Sequence, residues 1–176
     1  MRLFSAIPVP EDIKNKLVEL TRGQLPVPFL SLTNAHITLN FFGELDTDKT
    51  KFVVEQFSSA AGGNGKIKIE FDKIIRHHHQ LHLTLKPNKE LQELQLNLQE
   101  AYERVGFKFQ DREYYPHVSL ARMHIDNHLY RARKVESFDN NLLSQLSFEA
   151  DKVVLYESKL LLHHAHHIPM VDVALS

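Results

Sequence analysis

The chain contains no cysteine among its 176 residues. This absence excludes disulfide bonds, thiol nucleophiles and zinc sites with cysteine ligands, and it is natural for a cytoplasmic protein, which we expect here. Apolar runs are short: none approaches the roughly 18 residues of a membrane-spanning helix, and the chain does not open on a basic segment followed by a long apolar one. We therefore expect no membrane association.

An excess of charge of one sign is also missing. The 21 Lys and Arg residues nearly balance the 22 Asp and Glu residues, which leaves a formal net charge of −1. Because non-specific affinity for a long nucleic acid depends on neutralising many phosphates, this balance argues against a protein that wraps nucleic acid. A site that grips only the end of an RNA remains compatible with it.

The length suits a single compact domain over residues 1–176 that buries about 70% of its unfolded surface. Strand-like alternation and helix signals follow each other in an order that predicts an α+β fold, with mainly antiparallel sheet and helices packed outside. Besides the two stretches discussed next, the predicted strands are Leu3–Val9, Lys66–Phe71, Gln80–Leu85, Phe148–Tyr156 and Ile168–Ala174. Helices are expected to begin at Pro10, at Asp46 or Thr47, and at Asn88.

Two short stretches share an unusual pattern. Residues 34–42 predict a strand in which His36 and Thr38 lie on one face, because apolar residues occupy the positions between and after them. The pattern returns 81 residues later, where His117 and Ser119 are again separated and followed by apolar residues. We call these two segments, 36–39 and 117–120, the tetrads. Their separation favours two pseudo-symmetric lobes with an active-site cleft between them.

Two imidazoles and two hydroxyls are the groups needed for in-line displacement at a phosphodiester. One imidazole takes a proton from the attacking oxygen and the other gives a proton to the leaving oxygen, while the hydroxyls donate to the non-bridging oxygens. This chemistry requires no metal and no organic cofactor. The tetrads therefore predict a metal-independent phosphoesterase.

The paired tetrads resemble the two-histidine phosphoesterase superfamily, and within it the RNA 2′,3′-cyclic phosphodiesterase branch, also called the 2′-5′ RNA ligase family. The resemblance covers nearly the whole chain. The segments that carry it are Arg2–Ile7 with Pro10, Ala35–Glu44, Pro116–Arg122 and Val154–Ser158.

The resemblance implies that a monomer hydrolyses the 2′,3′-cyclic phosphate ends of RNA, or nucleoside 2′,3′-cyclic phosphates, to 2′-phosphates. By similarity, His117 is the general base that activates water and His36 is the general acid. Thr38 and Ser119 bind the phosphate, and Ser119 departs from a strict threonine pair without losing the donor. Three alternatives stay open: RNA joining through a 2′-5′ linkage by the reverse reaction, a non-catalytic module that binds RNA ends, and a zinc protein.

Two further residues match the family pattern. Arg122 follows His117 by five residues, where related enzymes direct an arginine toward the phosphate, and Phe41 follows His36 by five, where an aromatic ring can stack on a base. Strict alternation would place both on the face opposite their histidine. A bulge or a strand end must re-aim them if they act.

The other histidines include a third tetrad-like segment and two clusters. His82 and Thr84 form a third tetrad-like segment, which lacks the flanking residues of the two tetrads; we expect His82 to line the cleft or to be structural. The clusters 77–79 and 163–167 invite a zinc site, but consecutive residues on a strand point to opposite faces, so we expect polar hairpin surface that adds protonated imidazoles near RNA below neutral pH. Further candidates for the cleft rim are Arg76, Arg112 and Lys159.

Overall fold

An antiparallel sheet of eight strands carries the residues singled out in the sequence. The structure is a computed structural model that describes residues 1–22, 25, 32–110, 113–122, 135–160 and 165–176. Its strands are β1 (Arg2–Pro8), β2 (His36–Glu44), β3 (Ile67–His77), β4 (Gln80–Leu85), β5 (His117–Arg122), β6 (Ser147–Ala150), β7 (Lys152–Leu160) and β8 (Ala165–Ala174). Their order across the sheet is β6-β3-β4-β5-β2-β1-β7-β8, and each neighbouring pair is antiparallel.

The α-helices in the described part of the chain are α1 (Glu11–Thr21), α2 (Thr47–Ala61) and α3 (Lys89–Glu103). Two of them begin at side chains that satisfy a free backbone N–H of the first turn. The Asp46 carboxylate accepts from the Lys49 N–H at 2.8 Å, and the Asn88 side-chain oxygen accepts from the Leu91 N–H at 2.9 Å. Beyond α3 the chain turns at Gly106, whose φ of +94° lies in the region that favours glycine.

The hydrophobic core lies between the helices and one face of the sheet. Ile37 and Val118, the inner apolar residues of the two tetrads, are completely buried in it. Tyr102 of α3 packs edge-on against Phe42 of β2, with 4.8 Å between ring centroids, and its hydroxyl donates to the Val53 carbonyl of α2 at 2.9 Å. Because side chains alternate along a strand, the histidines of the tetrads belong to the opposite face of the sheet.

The sheet divides into two equivalent halves between β5 and β2. One half contains β6, β3, β4 and β5, and the other contains β8, β7, β1 and β2. In each half a helix connects a strand to its tetrad strand, since α1 joins β1 to β2 and α3 joins β4 to β5. This arrangement confirms the predicted α+β fold with two lobes, and the tetrad strands form the junction between them.

Strand β2 contains a β-bulge directly after the hydroxyl residue of its tetrad. Thr38 pairs with Ala6 and Asn40 pairs with Ser5, which leaves Leu39 as the additional residue. The buried Ser5 hydroxyl accepts a hydrogen bond from the Asn40 N–H at 3.1 Å, so the interrupted ladder does not leave this donor unsatisfied. The bulge reverses which residues face the core beyond this point.

Strand β5 contains the equivalent bulge. Ser119 pairs with His82 and Ala121 pairs with Leu81, which leaves Leu120 as the additional residue. In both tetrad strands the extra residue is therefore the last apolar residue of the tetrad. The two halves of the sheet repeat this irregularity as well as the sequence pattern.

Replacing Ser5 with alanine is expected to lower the free energy of unfolding by about 1–3 kcal/mol, because the buried N–H of Asn40 loses its acceptor. Urea denaturation followed by circular dichroism measures the change. The exposed Ser59 of α2 offers a matched control, and its replacement by alanine is expected to change the stability by less than about 0.5 kcal/mol. Equal effects of the two substitutions would show that the Ser5 hydroxyl does not support the bulge.

Two sequence predictions of strands are corrected. The single strand predicted over Phe148–Tyr156 is two strands separated by Asp151, because β6 pairs with β3 while β7 pairs with β1 and β8. The alternation breaks at the consecutive charged residues Asp151 and Lys152, which is where one strand ends and the next begins. Strand β3 also continues to His77, beyond its predicted end at Phe71, because an irregularity at residues 72–73 interrupts its alternation.

Candidate functional site

The two tetrads meet where β2 and β5 pair. Their inner apolar residues lie directly opposite each other, so the antiparallel register places His36 opposite Ser119 and Thr38 opposite His117. The two histidines are thus diagonal neighbours, a relationship that typically separates Cα atoms by roughly 7–8 Å. The sheet brings together the four residues that the sequence predicted to share one cleft.

Both imidazoles are oriented by the same type of hydrogen bond. His36 Nδ1 donates to the Asn34 carbonyl at 2.5 Å, and His117 Nδ1 donates to the Tyr115 carbonyl at 2.8 Å. The Asn34 side chain is itself anchored, because its amide donates to the Ala165 carbonyl of β8 at 3.0 Å. With Nδ1 engaged in this way, proton transfer at either ring would take place at Nε2.

The charge state of His36 is governed by its surroundings. Burial lowers the pKa of His36 and the nearby His117 acts in the same direction, whereas the hydrogen bond to the Asn34 carbonyl opposes both. The free protein therefore favours neutral His36, and simultaneous protonation of the two imidazoles is disfavoured. An anion bound between them would act in the opposite direction, because it stabilises the charged form of each.

The two hydroxyls lie on the same face as the imidazoles. Thr38 is half-buried and Ser119 is exposed. Tyr114, just before β5, donates its hydroxyl to the Thr38 carbonyl at 3.1 Å, and burial raises the pKa of Tyr114, which keeps it a neutral donor. This bond holds the segment that leads into one tetrad against the backbone of the other.

The bulge in β2 turns Phe41 toward the site. Phe41 pairs with Phe4, whose ring lies 5.0 Å from that of His36, and directly paired residues share one face of a sheet. Its side chain is 41% exposed, and the guanidinium carbon of Arg2 lies 4.8 Å from its ring centroid. The bulge therefore gives Phe41 the orientation that stacking on a base requires.

Arg122 is the last residue of β5. Its backbone pairs with that of Gln80, which precedes His82 by two residues on β4. The Arg122 side chain lies outside the described residues, and its contact with a phosphate stays a prediction.

His82 lies against His117. The two ring centroids are 3.8 Å apart and the ring planes differ by 14°, which is a stacked arrangement. His82 is only 4% exposed, and its Nε2 donates to the side-chain oxygen of Gln80 at 2.9 Å. Burial, together with the neighbouring His117 and His77, lowers the pKa of His82 to about 4. The sequence predicted that His82 lines the cleft or is structural. It did not predict this contact, which depends on the pairing of β4 with β5.

The prediction that the second histidine cluster is hairpin surface is wrong for His167. This residue is half-buried, with its ring 5.2 Å from that of His36 and 4.9 Å from that of Phe4. Burial lowers the pKa of His167 to about 4, and the nearby His36, His166 and Arg2 contribute in the same direction. His167 is therefore neutral near neutral pH. The sequence could not show this, because β8 reaches β1 only through β7.

The remaining rim candidates lie on strands or at a turn. The first histidine cluster, 77–79, ends β3 and forms the exposed turn into β4, as predicted. The Arg76 side chain donates to the His78 carbonyl at 3.1 Å, and the exposed Lys159 pairs with the largely covered carboxylate of Glu157 on β7. The candidates outside the described residues are Arg112, His163 and His164.

Two observations concern metals and membranes. Within the described ranges, no group of three or more His, Asp or Glu side chains is placed to hold a metal ion. Among the helices of these same ranges, none combines the length and apolar character needed to cross a membrane. The chemistry available at the site is that of its imidazoles and hydroxyls, which can transfer protons and donate hydrogen bonds to an anion.

Comparison with known proteins identifies relatives over most of the chain. Residues 9–160 match the model of the 2′-5′ RNA ligase superfamily. A protein of Methanocaldococcus jannaschii named RNA 2′,3′-cyclic phosphodiesterase is 30% identical over 166 residues, which are 91% of this chain and 92% of that protein. A protein of the same name from Bacillus subtilis is 31% identical over 127 residues, 68% of this chain and 69% of its own.

Solved structures support the fold independently. The apo form of E. coli LigT has a TM-score of 0.77 at 21% identity and covers 99% of this chain and 97% of its own. Its complex with 3′-AMP has a TM-score of 0.77 at 20% identity, with coverages of 99% and 98%. Since the family model spans most of the chain and the archaeal relative is 30% identical over nine-tenths of both proteins, this chain belongs to the 2′-5′ RNA ligase superfamily.

Proposed function

We propose that this protein is a phosphoesterase that hydrolyses 2′,3′-cyclic phosphate ends of RNA, or nucleoside 2′,3′-cyclic phosphates, to 2′-phosphates without a metal ion. The observation that carries the proposal is the diagonal placement of His36 and His117 across the β2–β5 junction, each with its Nδ1 hydrogen-bonded to a backbone carbonyl. The names of the archaeal and bacterial relatives support the choice of substrate.

The proposed reaction assigns one step to each imidazole. A water oxygen attacks phosphorus in line with the bond to the 3′ oxygen, and one imidazole accepts the proton that the water loses. The other imidazole gives a proton to the departing 3′ oxygen, so that the products are a 2′-phosphate and a 3′ hydroxyl. By resemblance to the family, His117 is the base and His36 is the acid.

The hydroxyls act on charge that grows at phosphorus. Thr38 and Ser119 lie in register with the two histidines and donate to the non-bridging oxygens in the transition state. Phe41 stacks on the terminal base, and Arg122 binds the phosphate. The substrate is therefore held by its last nucleotide, which agrees with a chain whose net charge is only −1. We propose that the protein acts as a monomer.

Joining of RNA ends through a 2′-5′ linkage is a second candidate. It uses the same attack on a cyclic phosphate, with the 5′ hydroxyl of a second RNA in place of water; the bond to the 3′ oxygen breaks and a 2′-5′ phosphodiester remains. The name of the matching superfamily favours it. Water is far more concentrated than RNA ends, so hydrolysis is expected to dominate in dilute solution.

Incubation of an oligonucleotide that ends in a 2′,3′-cyclic phosphate with the protein in EDTA is expected to yield a 2′-phosphate end at the rate seen without chelator. Chromatography against 2′- and 3′-phosphate standards identifies the product. Loss of turnover in EDTA would contradict the metal-independent mechanism, and a 3′-phosphate product would contradict the proposed leaving group. Binding of the oligonucleotide without turnover would instead support a module that binds RNA ends.

A further inference from the structure

A second imidazole covers one face of the His117 ring. His82 stacks on it with 3.8 Å between centroids and 14° between planes, and the ladder places His82 opposite Ser119 of the same tetrad. Since His82 is only 4% exposed and lies beneath His117, it affects a bound phosphate mainly through that ring.

The hydrogen bonds of His82 define its tautomer. Its Nε2 carries the proton, because it donates to the side-chain oxygen of Gln80, and its Nδ1 is buried with no hydrogen-bond partner among the described residues. A buried ring nitrogen without a partner is unfavourable, and an aliphatic residue would fill this position without that cost. Packing alone therefore does not account for an imidazole here.

We infer that His82 is a positioning residue, which holds the His117 ring in its productive plane and stabilises the protonated form of that ring through its neutral π-face. The inference rests on the proposed function for its effect on turnover, and on geometry alone for its effect on titration. A cation stacked on an aromatic face is stabilised, and a ring held on one face loses rotational freedom.

His82 stabilises the protonated form of His117 whichever of His36 and His117 is the base. A base becomes protonated during the reaction and an acid starts protonated, so the cationic form of His117 occurs in either case. Burial lowers the pKa of His82 to about 4, so His82 stays neutral while its neighbour titrates. Among the residues that the structure describes, the titratable groups that interact with the pair include His77 from β3, His36 from β2 and Tyr115, which precedes β5.

Replacement of His82 by phenylalanine and by leucine separates these effects. Phenylalanine retains a flat ring against His117, whereas leucine fills the space without one. His82→Leu is expected to lower kcat about fivefold with KM unchanged, while His82→Phe retains at least half of kcat. In NMR titrations, the midpoint of the His117 ring signals is expected to fall by about half a pH unit in His82→Leu and to stay in place in His82→Phe.

His82→Met supplies a second ringless variant with a flexible side chain, in case His82→Leu does not fold. His78→Asn is the matched control, because it removes an exposed imidazole from the same hairpin at a φ of 50°, which asparagine tolerates. This control should leave both measurements unchanged. Equal kcat and equal titration midpoints in the phenylalanine and ringless variants would overturn the role of His82. Failure of the unmodified protein to hydrolyse the substrate would overturn the proposed function, and the titration would still decide the role of His82.

Discussion

Replacement of either His36 or His117 by alanine is expected to lower kcat for hydrolysis of a 2′,3′-cyclic phosphate by about 10²-fold or more, the usual contribution of a positioned acid or base. A 10²-fold loss corresponds to about 2.7 kcal/mol of transition-state stabilisation. Neither role can be taken over by a neighbour, since the adjacent imidazoles of His82 and His167 are held neutral and at least one ring nitrogen of each is buried. Steady-state kinetics with a cyclic mononucleotide measures the loss.

Two other substitutions test whether the loss of rate is specific to His36 and His117. His78→Asn should retain the full rate, because His78 lies at the exposed turn between β3 and β4. His82→Ala should retain more than a tenth of the rate. If His82→Ala were as inactive as His36→Ala, the third tetrad-like segment would be the catalytic one, and unchanged rates in the His36 and His117 variants would exclude both from catalysis.

The sequence was sufficient to predict which tetrad residues lie side by side, because that placement depends only on the alternation within each strand. In a strand, residues two apart point the same way, so each tetrad alone determines that His36 lies with Thr38 and that His117 lies with Ser119. The repetition of the pattern, and a chemistry that needs two imidazoles and two hydroxyls, then predicted that the two tetrads share one cleft. Antiparallel pairing of β2 with β5 converts the two local patterns into one four-residue cluster.

Other parts of the site depend on pairings that local patterns do not encode. His82 reaches His117 through the register of β4 with β5, and His167 reaches His36 through two successive pairings, β8 with β7 and β7 with β1. The bulges were anticipated only as a condition for Phe41 and Arg122 to act. A bulge forms where one strand has an extra, unpaired residue. Its position depends on the pairing with a strand that is distant in sequence.

The hydrogen bonds and burial of the imidazoles distinguish the third tetrad-like segment from the other two. In the tetrads, Nδ1 is hydrogen-bonded to the carbonyl two residues earlier. In His82 the arrangement is inverted, because Nε2 is occupied by Gln80 and Nδ1 is buried. The same residue pattern on a strand covered on both faces therefore gives a neutral, enclosed imidazole instead of one that can reach a substrate.

The assignment of acid and base is tested by a substrate whose 3′ bridging oxygen is replaced by sulfur. A thiol has a pKa near 8.5, far below that of an alcohol, so a thiolate departs without a proton from the enzyme. With this substrate His36→Ala is expected to recover most of its lost rate, whereas His117→Ala stays slow because water still requires a base. Rescue of His117→Ala alone would reverse the assignment, and rescue of neither would mean that both imidazoles mainly stabilise charge at phosphorus.

The pH dependence provides an independent measurement of the same assignment. An acid must be protonated, and burial lowers the pKa of His36 from its ordinary value of 6.5. Since kcat/KM reports groups of the free enzyme, its decline with rising pH is expected to be centred below pH 6.5 with the oxygen substrate. That decline should disappear with the sulfur substrate, which needs no acid, while the loss of activity at low pH from protonation of the base remains. A decline that persists with the sulfur substrate would show that His36 does not protonate the leaving group.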